Sequence, residues 1–242
     1  MLRPGTAGIA QNTWTEIHGT GLVPATTNAG GVLWNTAPSF LQGMMPTQLN
    51  GVGVTVNGKA AYIYFYCSAA TDPACANDQI NVLTPLDSTT GSVPIVVTSS
   101  GSSTPPYTAT MHTAVPSFLL VSAQGYVAAT HVNYTLIGPV TLYPGASTPA
   151  APGEPIVTYA TGLGLPATTL MAGSATQTGV LPSAPVCTIG GNPALVGVAG
   201  LISPGLYQLN ITVPSSAAAG NDSILCTYGG SSTTAGDLVT VN

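Results

Sequence analysis

Charge is almost missing from this sequence: Arg3 and Lys59 are its only basic side chains, set against seven Asp and Glu in 242 residues. Charged residues make up 4% of the chain, where a typical soluble domain carries roughly a quarter. From residue 60 onward nothing can neutralise a phosphate, which excludes nucleic acid as a partner. The same shortage removes the basic clusters that draw proteins to anionic lipid. No run approaches the ~18 apolar residues of a membrane-spanning helix, so membrane insertion is not expected. Residues 1–12 lack the long apolar stretch of a signal peptide, so any export signal is expected to have been removed or to lie outside this numbering. Catalytic signatures are missing as well: there is no G-x-S-x-G, no H-E-x-x-H, no phosphate loop ending in Lys-Ser/Thr and no dinucleotide fingerprint. Neither an enzyme nor a cofactor is expected.

Ser, Thr, Asn, Gln and Gly fill the positions where Lys and Glu normally keep a chain soluble. That substitution favours strands and turns over helices. The four cysteines separate into two pairs, Cys67 with Cys75 and Cys187 with Cys226. With no C-x-x-C and no neighbouring His, disulfides are expected rather than zinc, and disulfides imply an oxidising, extracellular compartment. Four buried free thiols are the alternative, because unpaired Cys packs as a small hydrophobe.

Three blocks of the first half recur in order in the second. Ile17 to Leu22, followed by Pro24 to Thr27, matches Thr158 to Leu163, followed by Pro166 to Thr169. Val54 to Gly58 matches Cys187 to Gly191. Gln79 to Pro85 with Gly91 matches Gln208 to Pro214 with Gly220. Asn57-Gly58 between apolar alternations is the favoured centre of a type I′ hairpin, and Gly190-Gly191 takes the same place in the second copy. Pro85 and Pro214 close their strands for want of an N–H. No window of helical length keeps a 3.6-residue apolar period. The pattern predicts an all-β chain of two tandem immunoglobulin-like β-sandwich domains, 1–112 with an N-terminal arm and 113–242. Within the second, strands are expected around Tyr126 to Thr130 and Leu136 to Leu142, ahead of a Pro-rich turn at Ser147 to Pro155.

Thr13 to Leu22, Val54 to Tyr64, Tyr126 to His131 and Gly205 to Pro214 resemble the IPT/TIG class of immunoglobulin-like domains, in a tandem form found in secreted bacterial proteins. The resemblance implies sandwiches used as spacers, adhesion modules or assembly units, and brings no catalytic residues. The insertion Ser68 to Asn77, bracketed by Cys67 and Cys75, departs from that pattern.

His18, His112 and His131 are scattered singly on expected strands, as packing residues rather than metal ligands. Asp72, Asn77 and Asp78 offer oxygens to calcium without the spacing of a calcium loop, so no metal is expected. Tyr62, Tyr64 and Tyr66 alternate with Ile63 and Phe65, which on a regular strand puts the three tyrosines on one face. That row is either a contact surface for sugars or a neighbouring subunit, or lateral packing along the strand. The N-terminal arm carrying Leu2 and Ile9, together with unguarded sheet edges, is a candidate for self-association. The functional expectation is a secreted structural or adhesive protein, either a spacer or adhesive module or a subunit that assembles into a surface fibre. The alternative is a carbohydrate-binding accessory module that contacts polysaccharide.

Overall fold

The computed structural model describes residues 8–242, which are nearly all-β. They form two compact units. One comprises residues 8–113 together with Leu170–Gln177. The other comprises Ala114–Thr169 together with Thr178–Asn242.

The first unit contains β1 (Gly8–Ala10), β2 (Trp14–Gly19), β3 (Val32–Leu33), β4 (Gln48–Leu49), β5 (Val52–Val56), β6 (Lys59–Ala60), β7 (Tyr62–Cys67), β8 (Asp78–Leu83), β9 (Gly91–Ser99), β10 (Ser102–Ser103) and β11 (Tyr107–His112). One sheet runs β1-β11-β9-β5-β4, with β10 on β9 and β6 on β5, and the other runs β2-β8-β7-β3. Period-two alternation turns Val52, Val54, Val56, Val93, Ile95 and Val97 of the first sheet inward. They share one core with Ile63, Tyr66, Ile80 and Val82 of the second, a β-sandwich arrangement. Burying each of these Val and Ile side chains contributes about 1.5–3 kcal/mol. Asn57 and Gly58 join β5 to β6 with φ of 51° and 74°, the left-handed pair a type I′ turn requires. The turn is held by the buried Asp87, which accepts from the Asn57 amide at 2.8 Å and pairs with Lys59 at 3.1 Å.

The described part of the N-terminal arm is not free. Gly8–Ala10 lies parallel to β11 in its own sheet, with Ile9 beside Met111 and only 8% exposed. Leu2 lies outside the described residues. Nor is this strand without a counterpart, because Ala150 bridges Val241 in the same parallel sense in the second unit. The arm is an edge strand because Ile9 buries apolar surface and β11 offers it an unpaired ladder.

The second unit contains β12 (Ser117–Phe118), β13 (Ala129–Thr130), β14 (Leu136–Ile137), β15 (Ser147–Thr148), β16 (Pro155–Thr161), β17 (Gly179–Val180), β18 (Val186–Ile189), β19 (Asn192–Ser203), β20 (Leu206–Thr212), β21 (Gly220–Tyr228), β22 (Ser231–Ser232) and β23 (Leu238–Val241). Pairing follows β15-β14-β13-β16-β20-β19-β18-β21-β22, with β12 on β16, β17 on β19 and β23 on β21. The long β19 pairs first with β18 and then, past a bulge at Val196/Val198, with β20. Along β20, Tyr207, Leu209 and Ile211 are fully buried while Gln208 and Asn210 between them are half-exposed. The buried Tyr207 hydroxyl donates to the Gly164 carbonyl. The expected strand over Leu136 to Leu142 stops at Ile137, since Gly138 and Pro139 break the ladder and Leu142 turns back to donate to the Pro139 carbonyl.

The repeated blocks occupy the same rungs in both units. Ile17 faces Ile80 where Thr158 faces Leu209, and Val54 faces Val97 where Cys187 faces Cys226. Both disulfides are present, Cys67–Cys75 and Cys187–Cys226.

Candidate functional site

The four-stranded sheet β2-β8-β7-β3 presents its Ile17, Ile63, Ile80, Val82 side to the core. Its other side therefore carries Trp14, Glu16 and His18 from β2, Gln79, Asn81 and Leu83 from β8, Tyr62 and Phe65 from β7, and Leu33 from β3. Opposed residues of an antiparallel ladder share a face, so Glu16, Asn81, Phe65 and Leu33 form one row across all four strands.

The tyrosine row expected from the sequence is broken. A bulge in β7 lets Ile63 oppose Val82 and Phe65 oppose Asn81, leaving Tyr64 as the extra residue. Beyond the bulge the alternation reverses, so Tyr66 turns inward and is 2% exposed, while Tyr64 stays outside at 38%. Tyr62 is half-buried, and Gly173 of the segment Leu170–Gln177 lies close to its ring. That segment is tied down by Met45 N–H donating to the Gly173 carbonyl at 2.7 Å and Ala175 N–H donating to the Gly43 carbonyl at 2.8 Å. Burial pushes the Tyr62 and Tyr66 hydroxyls above their usual value, partly offset at Tyr66 by a hydrogen bond with Asn50.

In place of a tyrosine row stands a cluster that the sequence pattern does not assemble. Trp34, in a 3-10 turn just past β3, and Phe40, in the one-turn helix α1 (Pro38–Leu41), fold over the outer face. Trp34 meets Trp14 at 5.7 Å and Tyr64 at 5.0 Å edge-on, and stacks on Phe40 at 4.7 Å. Trp14 also meets Tyr64 at 5.5 Å. The chain has two tryptophans, and both are in this cluster. The approach to it depends on Gly31, whose φ is +73° and where a Cβ would sit 2.4 Å from the Phe65 ring and 2.5 Å from the Tyr66 carbonyl. Leu33 and Leu41 extend the apolar surface outward, at 40% and 74% exposure.

Beside the aromatics, Gln79 donates its side-chain amide to Asn81 at 2.7 Å. The same pair recurs on the outer face of the second unit, where Gln208 donates to Asn210 at 2.8 Å. Neither bond serves the core, and each leaves the Asn amide N–H groups and the Gln carbonyl to bond outward.

The remaining candidates resolve structurally. Asp78 is buried and accepts from Ser68 Oγ, Ala69 N–H and Leu22 N–H. Asp72 accepts from the Gly30 and Ala74 backbones. These carboxylates stabilise loops around the Cys67–Cys75 disulfide, and the described residues contain no cluster of three metal-binding side chains. His18 lies 3.4 Å from Glu16, and His131 is held by Glu154 at 2.5 Å and by Thr148.

The chain is thus an all-β, twice disulfide-bonded protein with an aromatic outer face, and no described helix is long and apolar enough to cross a membrane. No protein-family model and no curated protein matches it. Among solved structures it is similar to a surface glycan-binding protein, SGBP-B of the Bacteroides ovatus mixed-linkage glucan utilization locus, in complex with a mixed-linkage heptasaccharide. Identity is 12% and the TM-score 0.36, over 100% of this chain and 46% of that one. It is also similar to the Yersinia pseudotuberculosis adhesin InvE at 11% identity and a TM-score of 0.25, over 82% of this chain and 50% of that one. The chain thus spans about half the length of each, and these scores are too low to define a shared architecture.

Proposed function

We propose that the chain is a non-enzymatic, extracellular adhesive or structural module built of two tandem immunoglobulin-like domains of IPT/TIG type. Its contact surface on this reading is the aromatic outer face of β2-β8-β7-β3. The observation that carries the reading is the placement of both tryptophans and Tyr64 outside the core, with Phe40 packed between the core and the Trp34 ring. Large aromatic side chains are normally the most valuable core material, and held at a surface they supply contact area at little entropic cost. Two disulfides fit export to an oxidising compartment.

A second reading, a carbohydrate-binding module, is favoured by the Gln79–Asn81 pair beside Trp14 and Phe65. Ring faces stack on sugar C–H surfaces, and amides exchange hydrogen bonds with hydroxyls in either direction. The ligand would be neutral, since Lys59 is the only Lys or Arg among the described residues and is engaged by Asp87.

The tryptophans make the test direct. All indole emission of this chain comes from Trp14 and Trp34, so titration with soluble neutral glucans, and separately with immobilised host and bacterial surface proteins, should shift that emission where the site is occupied. An adhesive surface that engages neither class, and whose emission stays unchanged, sinks the assignment of this face.

A further inference from the structure

Strand β2 stands at the end of its sheet, and no strand pairs with its outer side among the described residues. Its counterpart in the second unit, β16, is covered. There β12 and β13 lie antiparallel along it, with Phe118 opposite Ala160, Ser117 opposite Thr161, Ala129 opposite Thr158 and Thr130 opposite Val157. Tyr159, at the centre, uses both outward groups: its N–H donates to Ala128 and its carbonyl accepts from Leu119. The matching residue in the first unit is His18, which is exposed.

The backbone parity of the two strands is the same. Thr84 N–H donates to the Thr13 carbonyl as Val213 N–H donates to Glu154. With the alternation of an antiparallel ladder, Ile17 turns its backbone groups toward β8, and Glu16 and His18 turn theirs to the open side.

We propose that this open edge is an interface with a second copy of the chain, made by two β2 strands pairing antiparallel about a two-fold axis at Ile17. Glu16 of each copy then stands opposite His18 of the other, and both pairs fall at the hydrogen-bonding rungs that the parity supplies. The side chains match as well, a carboxylate facing an imidazole twice, with Thr15 facing Gly19 on the inner side. Such self-complementarity is what an isologous two-fold contact requires. An edge carrying Glu16 alone would repel its own copy, which is the usual guard against this pairing. His18 cancels that guard in this one register.

The product joins two four-stranded sheets into one of eight. Opposed residues share a face, so both aromatic clusters lie on the same side of it, doubling the contact surface and adding avidity for any repetitive ligand. This assembly goes beyond the adhesive reading and does not depend on what the aromatic face binds.

Sedimentation equilibrium of the full chain across a wide concentration range should show a monomer–dimer equilibrium. His18→Pro removes an outward N–H and no β2–β8 bond, and its ring fixes φ and holds Ile17 in the extended region, so it should weaken dimerisation about tenfold or more while thermal melting still shows a folded chain. As a variant that spares the backbone, Glu16→Cys chains mixed with His18→Cys chains should form a covalent dimer on mild oxidation. Neither variant should do so alone, because two thiols at position 16, or two at position 18, would lie too far apart to bridge. A chain that stays monomeric at the highest concentration, a dimer indifferent to His18→Pro, or Glu16→Cys that cross-links with itself as readily as with His18→Cys, overturns the proposal. Emission of the tryptophans on glucan addition reads the aromatic face separately, so either reading can fail without the other.

Discussion

Cys187 stands directly opposite Cys226 across β18 and β21, on the rung that Val54 and Val97 hold in the first unit. The disulfide thus takes the place of an apolar pair at the centre of a sheet, in a position already buried. Closing 39 residues should contribute about 4 kcal/mol by restricting the unfolded chain, against about 2.5 kcal/mol for the 8-residue Cys67–Cys75 loop. The double substitution C187V/C226V should lower unfolding free energy by somewhat less than the full amount, since it rebuilds the valine pair of the first unit. Denaturant titration of both double variants checks the order: C187V/C226V should lose more than C67A/C75A.

Asp87 is a carboxylate strongly shifted from its ordinary value. The Asn57 amide, then Thr89 and Lys59, hold it well below 3.8, more than offsetting the burial that pushes it up. A depressed folded value means that the stabilisation is complete above the unfolded value of 3.8 and is lost as pH falls through that value toward the folded one. Melting temperature should therefore be flat from neutral pH down to about 4 and fall only below it. Asp87→Asn should be less stable at neutral pH and should flatten the acid limb. A fall beginning near pH 6 would place the acid sensitivity elsewhere.

Tyr64 shares edges with both indoles. Each aromatic pair is worth ~0.5–1.5 kcal/mol, so Tyr64→Ala should cost about 1–3 kcal/mol and should alter indole emission even without ligand. Tyr66→Ala should cost more, about 3–5 kcal/mol, because it empties a core position. Comparing their urea midpoints separates the two tyrosines that the sequence pattern treats alike.

Gly58 and Gly162 have nearly equal left-handed φ, +74° and +76°. Alanine at Gly58 would meet open space, whereas at Gly162 its Cβ would lie 1.9 Å from the Val115 carbonyl. Gly58→Ala should cost about 1–2 kcal/mol, the intrinsic left-handed penalty, and Gly162→Ala distinctly more, read as the difference in melting temperature.

The strands were legible because their chemistry is local. Asn57-Gly58 fixes a turn, Pro85 and Pro214 stop strands, and Val52 to Val56 shows its inward face by alternation alone. The duplication added long-range information, since blocks that match in sequence pair on matching rungs. The aromatic site was less legible. Trp14 shares parity with Glu16 and His18 rather than with Ile17, a signal of an outer position that was present in the sequence. The bulge at Tyr64 left no such signal, because one residue too many reverses the faces without changing composition. Trp34 and Phe40 reach the site through a 3-10 turn and a single helical turn, which have no periodicity to read. The strand at Ile9 was hidden for another reason: three residues are too few to reveal a strand whose partner lies a hundred residues away.

Leu170–Gln177 belongs to the first unit although the chain has by then traversed part of the second. On a ribosome, the first unit cannot be completed when residue 113 emerges. It must wait, with the ring of Tyr62 and the bridging edge at Met44 uncovered, until more than fifty further residues have been made. Completion of the first unit therefore overlaps the synthesis of the second. The earlier one finishes late, and truncations within that interval should yield a nascent chain that chaperones and proteases treat as unfinished.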